Sequence, residues 1–224
     1  MPSTFLRPLY AASRLALISL LMALSSTSLA DEQANKDMLL DAIAGKVDVN
    51  SSDALGRPLV ITAIATGDQN ALTELLARGA NPDADYLGVP ALFFTVSDSC
   101  SSEPLSALLE AKADIAQKDG FMGSTALHFA AQHRDTRCLA LLIQHGADVN
   151  ASDNEGRTPY FYAVDFANAD GINKLWDAGS HPAKRNKRGY DVFHYAILQE
   201  QAPLVRELLI NYLEAPAQTA PPNQ

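Results

Sequence analysis

The sequence predicts an all-α fold, a solenoid of antiparallel helix pairs joined by β-hairpin loops. The first observation behind this is a line of glycines, Gly56, Gly88, Gly123, Gly156 and Gly189, at steps of 32, 35, 33 and 33 residues. The second is a series on the same beat: Gly79-Ala80, Lys112-Ala113, Gly146-Ala147 and Gly179-Ser180. The third is that apolar segments of helical period lie between the two series. Two motif series locked to one period indicate stacked repeats, because each repeat is a small unit that buries its apolar face only against its neighbours. Such a fold offers a long surface, which favours binding over catalysis.

Residues 1–30 read as a cleaved secretory signal. Arg7 and Arg14 stand there without an acidic residue, an apolar run follows from Leu15 to Leu24, and small polar residues lead to Ser28-Leu29-Ala30, with the cut expected after Ala30. The apolar run is too short to span a bilayer of roughly 30 Å. A half-repeat is expected at 34–50, one helix followed by a strand over Val47–Asn50. Repeats follow at about 51–83, 84–117, 118–150, 151–183 and 184–213. The tail 214–224 is Ala, Pro, Gln and Thr with little to bury, and disorder is expected there. One domain is expected over 31–213.

The clearest copy runs Gly123-Ser-Thr125-Ala-Leu127-His128-Phe-Ala130-Ala131, then Leu139-Ala-Leu141-Leu142-Ile143-Gln-His-Gly146-Ala147-Asp148-Val149-Asn150. Small alanines let one helix approach its neighbour. Leu139 to Ile143 form a second apolar helix, which Gly146 is suited to end in a left-handed cap. This copy strongly resembles the ankyrin repeat, with its Gly-x-Thr-Pro-Leu-His and Gly-Ala-Asp-Val-Asn signatures. Gly56-Arg57-Pro58-Leu59 and Gly156-Arg157-Thr158-Pro159-Tyr160 open two further copies. The second copy, Gly88-Val-Pro-Ala-Leu92, departs from the signature and carries a longer turn over 97–104. The last, Gly189-Tyr-Asp191-Val-Phe193-His194, departs as well, as a terminal repeat facing water does.

The resemblance implies structural roles for several residues that otherwise look chemical. His128 and His194 take the motif histidine position, which ties a helix start to the hairpin. Asp83, Asp114 and Asp148 serve the repeat's own turns. Phe94, Phe129, Tyr162 and Tyr195 form an aromatic column that reads as core. No catalytic motif, phosphate-binding glycine loop or metal-ligand spacing stands out, so no cofactor and no metal are expected, and an enzyme is not expected.

Residues 31–224 carry 15 basic and 26 acidic residues, net −11. That balance argues against nucleic acid and against anionic membranes. The local exception is Lys184-Arg185-Asn186-Lys187-Arg188, a docking point for an acidic partner. The resemblance places variable side chains at the hairpin tips and at the exposed end of the first helix. Those positions hold Tyr86, Leu87 and Val89; Phe121 and Met122; Asn154, Glu155, Arg157 and Phe166; Lys187, Arg188 and Tyr190. Exposed aromatics and methionine suggest a partner surface.

The expected function is therefore protein–protein interaction by a monomer, through the concave hairpin and first-helix face, in a periplasmic or secreted setting of bacterial type. The alternative is an inhibitor or immunity protein that blocks a toxin or hydrolase. The two cysteines, Cys100 and Cys138, are a candidate disulfide, against two separate thiols. Closing that loop would add on the order of 3–4 kcal/mol.

Overall fold

A computed structural model of the chain describes residues 29–97 and 99–198. The expected signal segment up to residue 28, the tail 214–224 and the end of the last repeat lie outside the described residues. The chain divides into two compact units, one up to Gly120 and one from Phe121. Both are mostly helical, with few strands. Among the described residues no helix is long and apolar enough to cross a membrane.

In the first unit, α1 is Leu29–Ile43, α2 Leu59–Thr66 and α3 Gln69–Ala77; after a hairpin come α4 Ala91–Phe94 and α5 Ser102–Glu110. Helix α1 begins two residues before the expected cut. It packs against α2 and α3, with Leu39 and Ala42 buried. Like then packs on like: α2 against α4, and α3 against α5. Helix α2 is apolar over its first turn and a half, and Leu59 to Ala63 are all buried. Helices α3 and α5 are amphipathic and bury only one face, Ala71, Leu72 and Leu75 in one and Leu105, Leu108 and Leu109 in the other. Asp68 starts α3 by accepting from the Ala71 N–H at 2.9 Å.

In the second unit, α6 is Ala126–Ala130, α7 Arg137–Gln144, α8 Pro159–Asp165, α9 Ala169–Asp177 and α10 Val192–Leu198. Helix α6 packs against α7 and α8, and α8 against α9 and α10. Helix α8 has Pro159 in its first turn, where a missing N–H costs nothing, and buries every residue from Pro159 to Val164. The expected aromatic column is core: Phe94, Phe129 and Tyr162 are buried, and Tyr195 is half-buried against Phe161 at 5.4 Å between centroids.

In three of the described repeats the second helix ends as its sequence requires. Gly79 (φ 85°), Gly146 (φ 86°) and Gly179 (φ 86°) all adopt the left-handed conformation. Each pairs with a reverse bond from the next residue, as in Ala147 N–H to Leu142 O at 3.0 Å. Lys112 takes this place in the second repeat at φ 68°, a geometry costly for a residue with a side chain.

Within each unit, side chains lace neighbouring repeats at one fixed offset. Asn50 accepts from the Asn81 N–H (2.7 Å) and Asp83 from the Asp114 N–H (2.6 Å) in the first unit. In the second unit, Asn150 accepts from the His181 N–H (2.9 Å). Asp114 and Asp148 close their own turns, on the N–H groups of Ala116 and Asn150. Those aspartates thus hold the turn roles expected of them.

Two expectations are corrected. Residues 47–50 form no strand: Asp48 accepts from the Asn50 N–H at 2.8 Å and folds the segment into a turn. The hairpins also carry little sheet. Among the described residues, the only strands are β1, Asp85–Tyr86, and β2, Val89–Pro90, paired antiparallel; the hairpins of Asp53, Asp153 and Asn186 are each closed by that side chain at the base.

Two substitutions test this packing by chemical denaturation. Leu142→Ala, at a fully buried position, lowers stability by about 2–5 kcal/mol. Lys112→Gly raises it by about 1 kcal/mol by removing the left-handed penalty.

Candidate functional site

The candidate surface is built on the hairpins, and three of them are each built on one residue. In the first, Asp53 Oδ1 accepts from the N–H groups of Leu55 (2.9 Å) and Arg57 (3.0 Å). Its Oδ2 holds the Arg57 guanidinium at 2.7 Å and the Thr62 hydroxyl at 2.9 Å. One hundred residues later the arrangement recurs. Asp153 Oδ1 accepts from Glu155 (2.8 Å) and Arg157 (2.9 Å), and Oδ2 holds Arg157 Nη2 at 2.7 Å and the Tyr162 hydroxyl at 2.9 Å. Asn186 makes the same two backbone bonds, to Arg188 (3.0 Å) and Tyr190 (3.1 Å), without the charge.

Neighbouring tips are joined by main chain. The Gly120 N–H donates to Gly88 O in the first unit. In the second, Asn154 N–H donates to Met122 O and Lys187 N–H to Glu155 O, each at 2.8 Å. Gly156 (φ 76°) sits at one such contact, where a Cβ would stand 3.0 Å from the Lys187 nitrogen. The hairpins are therefore preformed rather than loose.

Around Tyr162 the second unit holds a closed polar network. Its hydroxyl donates to Asp153 and accepts from Arg157 Nη2 (3.1 Å) and Ser124 Oγ (2.8 Å). The guanidinium also lies over the ring, 4.8 Å from its centroid. His128 links this network to α6. Its Nδ1 accepts from the Thr125 N–H at 3.0 Å, so the proton on Nε2 is donated to the Arg157 carbonyl at 3.1 Å. His128 thus ties a helix start to the next hairpin, as its motif position implies. His194 is exposed and, among the described residues, bonds Asp191 at the start of its own helix (2.7 Å).

Burial alone would raise the Asp153 pKa. The Arg157 charge, its backbone N–H and the Tyr162 hydroxyl outweigh that and hold it below the ordinary carboxylate value. Burial pushes Tyr162 well above the usual phenol range.

The sequence-derived residues separate on this frame. Leu87 is 60% exposed, Phe121 52% and Tyr190 38%, and Lys187 and Arg188 are exposed with the tips expected for them. Asn154 is exposed too, whereas Met122, Glu155 and Phe166 are half-buried. Two assignments are corrected, those of Val89 and Arg157. Val89 is buried, because it pairs with Tyr86 across the turn and its side chain falls on the inner face of the hairpin. Arg157 is buried and its charge is committed to Asp153, with Glu155 and Asp165 at 3.6 and 3.9 Å, so it does not face a partner. Tyr86 is half-buried, with its hydroxyl donating to Leu55 O at 3.3 Å.

Leu55 itself, 45% exposed, was not among the sequence candidates although it directly precedes Gly56 as Leu87 precedes Gly88. Both cysteines, Cys100 and Cys138, are disulfide-bonded. Among the described residues no cluster of His, Cys, Asp or Glu has the arrangement of a metal site.

Residues 92–186 match the family model described as ankyrin repeats (3 copies). A fowlpox virus (strain NVSL) protein described as an ankyrin repeat protein is 32% identical over 126 residues, 54% of this chain and 85% of the viral protein. An ankyrin repeat protein of Acanthamoeba polyphaga mimivirus is 30% identical over 185 residues, 79% of this chain but 24% of that protein. The B-cell lymphoma 3 protein homolog of Mus musculus is 27% identical over 170 residues, 74% of this chain and 38% of its own length. The chain thus spans under two fifths of two of these three relatives.

The buried pair predicts a pH dependence. A depressed carboxylate contributes stability in full above its unfolded pKa of about 3.9, and loses it as the pH falls through the folded value. Urea midpoints measured from neutral pH downward therefore fall more steeply below about pH 4 in the wild type than in Asp153→Asn. Arg157→Met, which leaves Asp153 buried and unpaired, costs about 3–5 kcal/mol at neutral pH.

Proposed function

We propose that this chain, which belongs to the ankyrin repeat family, is a non-enzymatic protein-binding module that recognises its partner along the hairpin edge. Ankyrin repeats commonly mediate protein–protein interaction and are generally not enzymes. The observation that carries the reading is the combination of rigid hairpins and unpaid apolar tips. Leu55 and Leu87 in the first unit, and Phe121 and Tyr190 in the second, are large and solvent-facing where a polar residue would cost nothing. Their hairpins are held by side-chain and main-chain bonds, so a partner binds with little loss of loop entropy.

The second unit adds charge. Lys184, Arg185, Lys187 and Arg188 are exposed in a chain of net charge −9, which suits an acidic patch on the partner. The setting belongs to the same proposal. The signal-like order of residues 1–30 and two disulfide-bonded cysteines support an exported, periplasmic or secreted protein.

The test is affinity capture by residues 31–224 from the native extract, with Phe121→Ser and Lys187→Glu/Arg188→Glu as controls of verified fold. One protein retained by the wild type and lost from either variant supports the reading. Equal retention by all three contradicts it. If the captured protein is an enzyme, its activity with and without the module separates support from inhibition.

A further inference from the structure

The turn that takes the place of the expected strand at 47–50 leads into Asn50-Ser51-Ser52. This triplet and Asn150-Ala151-Ser152, one hundred residues on, are the two Asn-x-Ser/Thr triplets of the sequence. Such a triplet is the acceptor for an N-linked glycan, a bulky group that needs a surface position. Both asparagines stand at the same place in the repeat. Each accepts from the N–H 31 residues ahead, Asn50 from Asn81 at 2.7 Å and Asn150 from His181 at 2.9 Å.

The fold needs only an oxygen at this place. Asp83, at the equivalent position of another repeat in the first unit, accepts from the Asp114 N–H at 2.6 Å with a carboxylate. An asparagine there brings an amide nitrogen that the contact does not use. Because the Asn81 N–H can only donate, it is the oxygen of Asn50 that faces it.

The two asparagines differ in what becomes of that nitrogen. Asn150 is half-buried and its Nδ2 donates to Gly179 O at 3.2 Å; Ser152 is half-buried as well. Asn50 is exposed, and among the described residues its Nδ2 makes no hydrogen bond. Ser52 is exposed too. The Asn50 and Ser51 N–H groups are both held by Asp48, at 2.8 and 3.0 Å, so the triplet is presented on a formed turn. Two triplets alike in sequence are thus one open and one closed.

We propose that Asn50 is the acceptor of an N-linked glycan, added to the folded chain by an oligosaccharyltransferase, and that Asn150 is not. Asn50 Nδ2 attacks the anomeric carbon of an oligosaccharide carried on a polyprenyl diphosphate. The N–C bond forms as the C–O bond to phosphate breaks. Polyprenyl diphosphate leaves with the electron pair, and one amide proton passes to a carboxylate base of the transferase. The product amide keeps its Oδ1, so the bond to the Asn81 N–H survives the modification. The inference rests on the exported setting, because acceptors of this kind belong to secreted proteins.

The experiment is mass spectrometry of the full chain isolated from its native exported fraction, with Asn50→Asp, Ser52→Ala and Asn150→Asp produced in the same host. The wild type and Asn150→Asp carry one glycan, mapped to the peptide that contains Asn50. Asn50→Asp and Ser52→Ala carry none. Asn50→Asp melts at the temperature of Ser52→Ala, since aspartate holds the Asn81 N–H as Asp83 holds that of Asp114; this separates a lost acceptor from a lost fold. An unmodified chain in the exported fraction, a glycan on Asn150, or a glycan that survives in Ser52→Ala overturns the proposal. The same spectra read signal removal. A chain that is exported, cut after Ala30 and unmodified leaves the exported setting standing while this site falls, and a chain that keeps residues 1–30 inside the cell removes both.

Discussion

Three of the hairpins depend on a single acceptor at their base. Asp53, Asp153 and Asn186 each offer one side-chain oxygen to two backbone N–H groups, two and four residues ahead. Those amides have no strand partner, and in a loop they would otherwise depend on water. Once they are satisfied, the hairpin has one geometry, and the tip-to-tip bonds such as Lys187 N–H to Glu155 O can form. The surface presented by the tips is thus a product of the polar residue beneath them.

The identity of that residue decides where charge goes. Where it is aspartate, the arginine four residues on folds inward against it and is lost to the surface, as Arg57 and Arg157 are. Where it is asparagine, Tyr190 takes the arginine's place and stays 38% exposed, and Lys187 and Arg188 remain outside. One oxygen exchanged for an amide thus accompanies the change from a neutralised hairpin to a basic one. A buried ion pair adds little net stability over an apolar pair but is costly to break, which makes it a firm anchor for orientation.

Much of the fold was legible because it is periodic. The glycine series marks left-handed helix ends, which only glycine adopts cheaply, and Gly79, Gly146 and Gly179 stand in that conformation. The aromatic column was read as core because it follows the helical face, and it is core. Side-chain direction at the tips was less legible, because a turn reverses it within two residues. Val89 and Leu87 flank the same glycine, yet one is buried and the other exposed. Arg157 was misplaced because its partner lies upstream in the hairpin. The signal was present in Asp53 and Asp153, each four residues ahead of an arginine.

The central claim is that the hairpins are rigid before any partner arrives. Native-state amide hydrogen exchange reports this residue by residue. The account predicts that the N–H groups of Arg57, Glu155, Arg157 and Tyr190 exchange slowly, close to the protection of the neighbouring helices. It further predicts that Asp153→Ala abolishes protection at Glu155 and Arg157 while leaving the Asn186 hairpin protected. Exchange of these amides in the wild type at the rate of an unstructured peptide would contradict it.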